Sequence, residues 1–173
     1  MAKNKDSSPL DPQQVVALLQ LALNYHDQSK KSRDADAPLA SCIMIGATLE
    51  AVLTSVVCML YDEALKTGKA PKKPLLKWDL GDLLTVAKAA KWLPKELQLD
   101  QRLDPVAIRT VPTDSIRQIR NFVHPACYFR ERAGKPYTAD EVGTLHAACH
   151  AAYDHLIEQI RVRRPNLPSF KLF

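Results

Sequence analysis

The stretch "LASCIMIGATLEAVLTSVVCMLYDEALKTG", residues 39–68, is the most apolar run of the chain and decides the fold. Its spacing predicts one long helix that begins after Pro38 and stops near Gly68, a residue type common at helix C-termini. Apolar residues occupy almost every side of this helix, which is the pattern of a helix surrounded by others. We therefore expect it to lie at the centre of a helical bundle.

The same run raises the alternative of a membrane span, because residues 43–61 carry a single charge, Glu50, in 19 positions. Three features argue against a span. The carboxylate lies near the middle, serine and threonine recur, and basic residues on both sides leave no bias that would orient a span. The sequence therefore favours a buried bundle helix without membrane contact.

Start and stop signals place further helices on either side of the central one. Upstream, Asp11, Pro12 and Gln14 form the capping pattern of a helix N-terminus, and the stretch "KKSRDADAP" after that helix is predicted to be a charged loop. Downstream, "WDLGDLLTVAKAAKWLP" has the spacing of a third helix. Residues 95–112 are predicted to be irregular because prolines interrupt them.

Two more helices are predicted in the C-terminal half. Thr113 is expected to cap a fourth helix, and the stretch "ACYFRERAGKP" after it is expected to be a loop. Thr138 and Glu141 form a second capping box, which begins a final helix that runs to about Arg163. With no repeat and no convincing series of strands, the sequence predicts an all-α fold, a bundle of four to five main helices.

Length and composition support this assignment. A chain of 173 residues with only five glycines suits one helical domain, and we expect a disordered arm at residues 1–10 and a single domain at 11–173. The four cysteines are far apart, which indicates reduced thiols rather than disulfides or a zinc site. The first residues lack an apolar signal core, so a cytoplasmic location is expected. The net charge of +5 permits an anionic partner.

A second stretch, "IRQIRNFVHP" at residues 116–125, carries the candidate functional residues. On a helical wheel its apolar residues fall in one arc, while Arg117, Arg120, Asn121 and His124 fall in the opposite arc. The stretch contains no carboxylate, so we expect an anion to offset the two guanidinium charges. The alternative is the ordinary solvated side of a surface helix.

This stretch, and its place in the order of helices, resembles the HEPN superfamily of all-helical domains, found in prokaryotic toxins, defence systems and RNA-processing factors. The resemblance covers roughly residues 38–160 and rests on an arginine that precedes a histidine within a late helix. Arg117 has six residues between itself and His124, which fits the family spacing, but a glutamine follows it. Arg120 is followed by Asn121, as is common in the family, but only three residues separate it from the histidine. Both arginines therefore stay candidates.

The resemblance implies an RNA-binding domain and, where the motif is competent, a metal-independent endoribonuclease of toxin or defence type. In that chemistry the ribose 2′-hydroxyl attacks the adjacent phosphorus and leaves a 2′,3′-cyclic phosphate. His124 would transfer protons, Arg117 or Arg120 would stabilise the phosphate oxygens, and Asn121 would orient the histidine or a phosphate. The resemblance also implies a homodimer with two such helices facing one cleft, and an antitoxin or nucleotidyltransferase-type partner protein.

The alternative from another functional class is a non-catalytic helical module, in which the same helix forms a dimer or partner interface. Charged residues outside the motif bear on the site. Glu50 is expected to be buried and to form an ion pair with an arginine of the motif or another base, and the other interpretation makes it a supporting residue of the site. Lys69, Lys72 and Lys73 would extend a positively charged surface for RNA.

The histidines outside the motif are predicted to be structural. His146 and His150 are four residues apart on the final helix, a spacing that can bind a metal ion, but no third ligand is evident. We therefore expect partly exposed histidines on that helix and a lone His26 packed within or beside the core. Neither a metal nor another cofactor is expected.

Overall fold

The computed structural model describes residues 10–99, 110–119, 122, 125–133 and 135–163. Six α-helices lie within these residues: α1 (Pro12–Asp34), α2 (Pro38–Met59), α3 (Tyr61–Lys66), α4 (Leu80–Ala89), α5 (Pro125–Arg132) and α6 (Ala139–Arg163). The predicted all-α class and helical bundle are therefore confirmed. The predicted N-terminal arm, apart from Leu10, lies outside the described residues.

The central position predicted for α2 is confirmed by its packing. α1 packs along α2, to which three residues join it, and α6 packs against another side of α2. Leu49, Leu53 and Val57 of α2 are fully buried. By length and hydropathy α2 could span a membrane, but 67% of its most apolar window is buried inside the protein. This burial is what a bundle helix requires of an apolar surface.

Two helix boundaries differ from the prediction. α1 continues to Asp34 through most of the predicted loop, and its last turn carries Lys31 and Arg33, whose charges interact favourably with the C-terminal end of the helix dipole. The predicted long helix is divided at Leu60, whose φ of −117° and ψ of 35° are not helical. Leu60 and Ala64 are both buried, so the change of direction directs the start of α3 into the core.

The two predicted capping boxes are confirmed. The Gln14 amide donates to the Asp11 carboxylate at 2.9 Å, and the Asp11 amide donates to the Gln14 side chain at 3.1 Å. At the start of α6, the Thr138 amide donates to Glu141 at 2.8 Å and the Glu141 amide donates to the Thr138 hydroxyl at 3.2 Å. These bonds satisfy amides that a helix leaves unpaired at its first turn. α6 is helical as far as Arg163, the last residue that the structure describes.

The segment predicted to be irregular contains a short antiparallel pair, β1 (Glu96–Gln98) and β2 (Thr110–Pro112). Leu97 is opposite Val111 in the pair and is buried, so the pair packs one side chain into the core. The residues between the two strands lie almost wholly outside the described part of the chain.

The predictions for the fourth helix and the loop after it were wrong in detail. Residues 113–118 form a 3₁₀ helix rather than the first turns of an α-helix. The Thr113 hydroxyl donates to the Pro94 carbonyl at 2.7 Å and its amide donates to the Lys95 carbonyl at 2.9 Å, so Thr113 binds the β1 side of the chain instead of capping a helix. The first seven residues of the predicted loop 126–136 are helical, because α5 begins at Pro125, and proline suits the first position of a helix.

The cysteines in the described part of the chain are free thiols, as predicted. Cys42 of α2 and Cys149 of α6 are both fully buried, and Cys58 is partly buried. Burial raises the pKa of Cys42 to about 12 and raises that of Cys149 as well. The side chain of Cys127 lies outside the described ones.

Candidate functional site

The segment that carries the candidate residues enters the site as a 3₁₀ helix. Residues three apart are eclipsed on such a helix. Ile116 in this helix and Ile119 directly after it are both buried, while Arg117 between them is exposed. The start of the segment is thus fixed by two core side chains, with an arginine directed away from the core.

Ile119 lies directly on the backbone of the central helix. A Cβ atom added at Gly46 would lie 2.5 Å from Cγ2 of Ile119, which is well inside van der Waals contact. Only a residue without a side chain allows this approach. The candidate segment is therefore packed against α2 without an intervening side chain.

The other end of the segment is held by aromatic contacts. Phe122 packs edge-on against Tyr137 with 4.3 Å between ring centroids, and the Arg132 guanidinium lies 4.0 Å from the Tyr137 ring centroid. Arg132 also makes two hydrogen bonds to the Glu141 carboxylate, at 2.8 and 3.1 Å. Ile119 and Phe122 are thus both anchored, one on α2 and the other at the start of α6.

Arg117 is occupied by contacts with α4 and with its own 3₁₀ helix. Its Nη2 donates to the Thr85 hydroxyl at 2.6 Å and to the Gly81 carbonyl at 3.3 Å, and its Nε lies 3.3 Å from the Asp114 carboxylate. Lys88 contacts the same carboxylate. The expectation that only an anion offsets the charge of Arg117 is therefore corrected, because the 3₁₀ geometry brings Asp114 to it.

A pocket of about 260 Å³ opens beside Arg117 at the N-terminus of α4. Asp79 and Asp82, which form a capping box at this terminus, line the pocket together with Leu80, Gly81 and Thr85. Two carboxylates and one guanidinium give the pocket mixed charge. Its chemistry suits polar contacts more than the binding of a highly charged anion.

The lysines of the loop before α4 divide into two kinds. Lys73 makes an ion pair with Asp82 at 2.7 Å, which places it at the edge of the Arg117 pocket. Lys69 and Lys72 are exposed. The structure therefore brings one of the three predicted RNA-contacting lysines to the pocket and leaves the other two on the surface.

The prediction that Glu50 is buried in an ion pair was wrong. Its side chain is exposed, and it makes no ion pair with a described residue. Partial burial, and to a smaller extent the negative charge of Asp79, raise the pKa of Glu50 above its ordinary value. Between Ala40 and Met59 of α2, Glu50 is the one exposed residue, and the apolar sequence around it gives no sign of this exposure.

Arg120, Asn121 and His124 lie outside the described residues. Their neighbours Ile119 and Phe122 are described, so the structure fixes where the segment enters and where it packs. The roles of these three candidate residues stay predictions from the sequence.

A histidine cluster that the sequence analysis missed lies between α1 and α6. His26 packs edge-on against His150 at 5.6 Å between centroids, and His150 is 4.7 Å from His146. His146 is buried, so the expectation of partly exposed histidines fails for it, and His26 is not a lone residue. Among the residues that the structure covers, no three or more His, Cys, Asp or Glu side chains are arranged so that they could hold a metal ion. The sequence carries no local pattern that indicates this cluster, because 120 positions separate His26 from His146.

Comparisons of the chain with protein-family models, with curated proteins and with solved structures found no match.

Proposed function

We propose that this chain is a HEPN-like domain that binds RNA through residues 116–125 and cleaves it there without a metal ion. The observation that carries the proposal is the anchoring of this segment by Ile119 on α2 and by Phe122 on Tyr137. A phosphate-binding group acts well only on a backbone that packing holds in place. The resemblance of the sequence "RNFVHP" to the family motif supplies the chemistry.

We assign different roles to the two arginines. Arg117 already donates to Thr85 and Gly81 and is neutralised by Asp114, so its role is to position the segment on α4. Arg120, which the family-like asparagine follows, is the arginine that contacts phosphate. Guanidinium groups bind phosphate oxygens through pairs of N–H donors. The Arg117 guanidinium has fewer donors left for phosphate, because several of them already bind protein groups.

The reaction uses one imidazole and one guanidinium. His124 accepts the proton of the ribose 2′-hydroxyl, the oxygen forms a bond to phosphorus, and the bond to the 5′ oxygen of the next nucleotide breaks. The departing 5′ oxygen takes up a proton from water, the resulting hydroxide takes the proton from His124, and the products are a 2′,3′-cyclic phosphate and a 5′-hydroxyl. Arg120 offsets the charge on the phosphorane oxygens, and Asn121 orients the imidazole or the phosphate.

The proposal includes a homodimer, in which the second copy completes a cleft between the two segments. Lys69 and Lys72 are exposed and extend the positive surface along the RNA backbone. An antitoxin or nucleotidyltransferase-type partner would regulate the domain by covering the same surface. A molar mass of one chain by sedimentation, at concentrations at which RNA is cleaved, would contradict the dimer.

The test is cleavage of a labelled single-stranded RNA of mixed sequence in the presence of EDTA. We expect the wild type to cleave it, and His124→Ala and Arg120→Ala each to lower the rate by about 100-fold or more. His155→Ala, a histidine replaced elsewhere on the surface of α6, is the matched control and should cleave normally. Equal rates for His124→Ala and the wild type would refute the cleavage role, and no binding by the wild type would refute the whole proposal.

The salt dependence of RNA binding separates the two arginines. Each phosphate contact contributes about one unit to the slope of log affinity against log salt concentration. Arg120→Ala should reduce this slope by about one, whereas Arg117→Ala should leave the slope unchanged and lower the free energy of unfolding by about 1 kcal/mol. A reduced slope for Arg117→Ala with unchanged stability would reverse the assignment.

A second candidate function is a non-catalytic partner-binding module. Phe129 of α5, seven residues after Phe122, is 67% exposed, and exposed aromatic rings are frequent at the centre of protein interfaces. Under this alternative, Phe129→Ser would abolish self-association while RNA binding by the wild type would be absent.

A further inference from the structure

Three helices meet at a set of buried polar groups on the N-terminal half of α6. The His146 Nε2 atom lies 3.3 Å from the Ser29 hydroxyl of α1. The Ser29 hydroxyl donates to the Ser41 carbonyl of α2 at 2.8 Å, and the Ser41 hydroxyl donates to the Ser29 carbonyl at 2.8 Å. When the Ser29 hydroxyl proton is on the Ser41 carbonyl, the His146 tautomer with a proton on Nε2 donates to the Ser29 oxygen.

Ring contacts among three imidazoles also join α6 to α1 at this place. His150 lies 4.7 Å from His146 and 5.6 Å from His26, measured between ring centroids. The three rings therefore contact one another in a row, and the row is uncharged while every imidazole is neutral. Ser29 is 1% exposed and His146 is 9% exposed, so an added charge would have little water around it.

Within the described part of the chain, few charged groups are placed to offset a positive charge in the cluster. Among the residues that the structure describes, the charges that act on the three imidazoles are those of Asp27, Lys30 and Arg33 on α1 and Asp154 on α6. α2 has a single charged residue, Glu50, nine positions from Ser41 and about 13 Å away along the helix axis. Of these groups, only Arg33 acts on all three rings, and it opposes protonation of each.

We propose that His26, His146 and His150 form an acid-sensitive latch that holds α1 against α6. Protonation places like charges within about 5 Å of each other in a largely buried site, where repulsion is strong and water is scarce. The rings separate to reach solvent, and α1 detaches from α6 while the contacts of α2 with α4 remain. This inference does not depend on the proposed RNA chemistry.

The direction of the pH dependence follows from burial. Desolvation, with smaller contributions from neighbouring charges, lowers the pKa of His146 and of His150 to about 4, and it lowers the pKa of His26. An unfolded histidine has a pKa of about 6.5, so the unfolded chain binds more protons between these values. The stabilisation is therefore complete above pH 6.5 and is lost as the pH falls towards 4. At pH 5 the unfolding constant should have risen by about 30-fold for each of these two histidines.

The first test measures urea unfolding of the full chain from pH 5.0 to 7.5. The unfolding constant of the wild type should rise steeply on acidification. In His146→Gln/His150→Gln most of this rise should be lost, so that the rise at pH 5 is smaller than in the wild type by a factor on the order of 100 or more. The control His155→Gln replaces a histidine of the same helix that points away from His146 and should retain the wild-type dependence. An unchanged dependence in the double variant would overturn the proposal.

The second test uses only the wild type, so it does not require that a variant folds. Proton NMR of the imidazole Cε1–H signals should show two histidines that stay neutral down to about pH 5. Hydrogen exchange at pH 5, corrected for the intrinsic rate, should show that α1 amides lose protection before those of α2 and α4. Titration of every histidine near pH 6.5 in the folded chain, or simultaneous loss of protection in all helices, would overturn the latch.

Discussion

Replacing Trp92 with alanine is expected to lower the free energy of unfolding by about 4 kcal/mol, the largest effect of a single core truncation in this chain. Trp92 is fully buried in the turn that follows α4. Its amide donates to the Ala87 carbonyl at 2.8 Å, and its indole Nε1 donates to the Glu63 carboxylate of α3 at 3.2 Å. Glu63 in turn lies 3.5 Å from Arg163 at the end of α6.

The size of this effect follows from volume and from connectivity. An indole ring leaves a large cavity when it is removed, and the surrounding helices relax only partly. Trp92→Ala also removes the indole donor of Glu63, which links α3 to the turn after α4. Trp92→Phe keeps most of the volume and should lose less than half as much stability.

Urea unfolding at pH 7.5 measures these differences directly. The control is Leu76→Ala, because Leu76 is 63% exposed and its removal leaves no cavity, so its effect should stay within about 0.5 kcal/mol. A loss for Trp92→Ala of only about 1 kcal/mol would show that this turn is not part of the cooperative core.

The second large effect concerns two glycines that should respond in opposite directions to alanine. Gly46 lies against Ile119, so a methyl group there should lower the free energy of unfolding by about 2 kcal/mol despite the better helix propensity of alanine. Gly143 of α6 has no atom within 4 Å of an added Cβ, so Gly143→Ala should raise stability by about 1 kcal/mol. The two substitutions are chemically identical, and the sites differ in whether there is room for the added methyl group.

A double-mutant cycle tests the stated cause. Ile119→Ala removes the methyl that the new Cβ would meet, so Gly46→Ala/Ile119→Ala should be more stable than the sum of the single changes by about 2 kcal/mol. Additive effects would mean that the loss at Gly46 has another origin. Because Ile119 anchors the candidate segment on α2, Gly46→Ala should also weaken RNA binding if the proposed function is right.

The sequence predicts those parts of the fold that depend on local signals. The capping boxes at Asp11 and Thr138 follow from residues within one turn of each other. The central helix follows from its apolar length. The division at Leu60 could not be predicted, because it depends on which side chains the rest of the core accepts.

The candidate site was less predictable because part of it is a 3₁₀ helix, whereas the helical wheel assumes an α-helix. At 100° per residue Asp114 and Arg117 are 60° apart, whereas on a 3₁₀ helix they are eclipsed and form an ion pair. The exposure of Arg117 was predicted, but its neutralisation was not. Similarly, the contact of His26 with His150 requires that α1 and α6 pack together, which no local pattern indicates.

The two buried thiols, Cys42 and Cys149, allow the separation of α2 from α6 to be followed chemically. Alkylating reagents react with the thiolate, and Cys42 and Cys149 hold their protons far more tightly than free cysteine while they are shielded by α2 and α6. Modification of either sulfur therefore has to wait until the helices separate. In a chain with serine in place of Cys58 and Cys127, the rate of alkylation would report how often these helices separate.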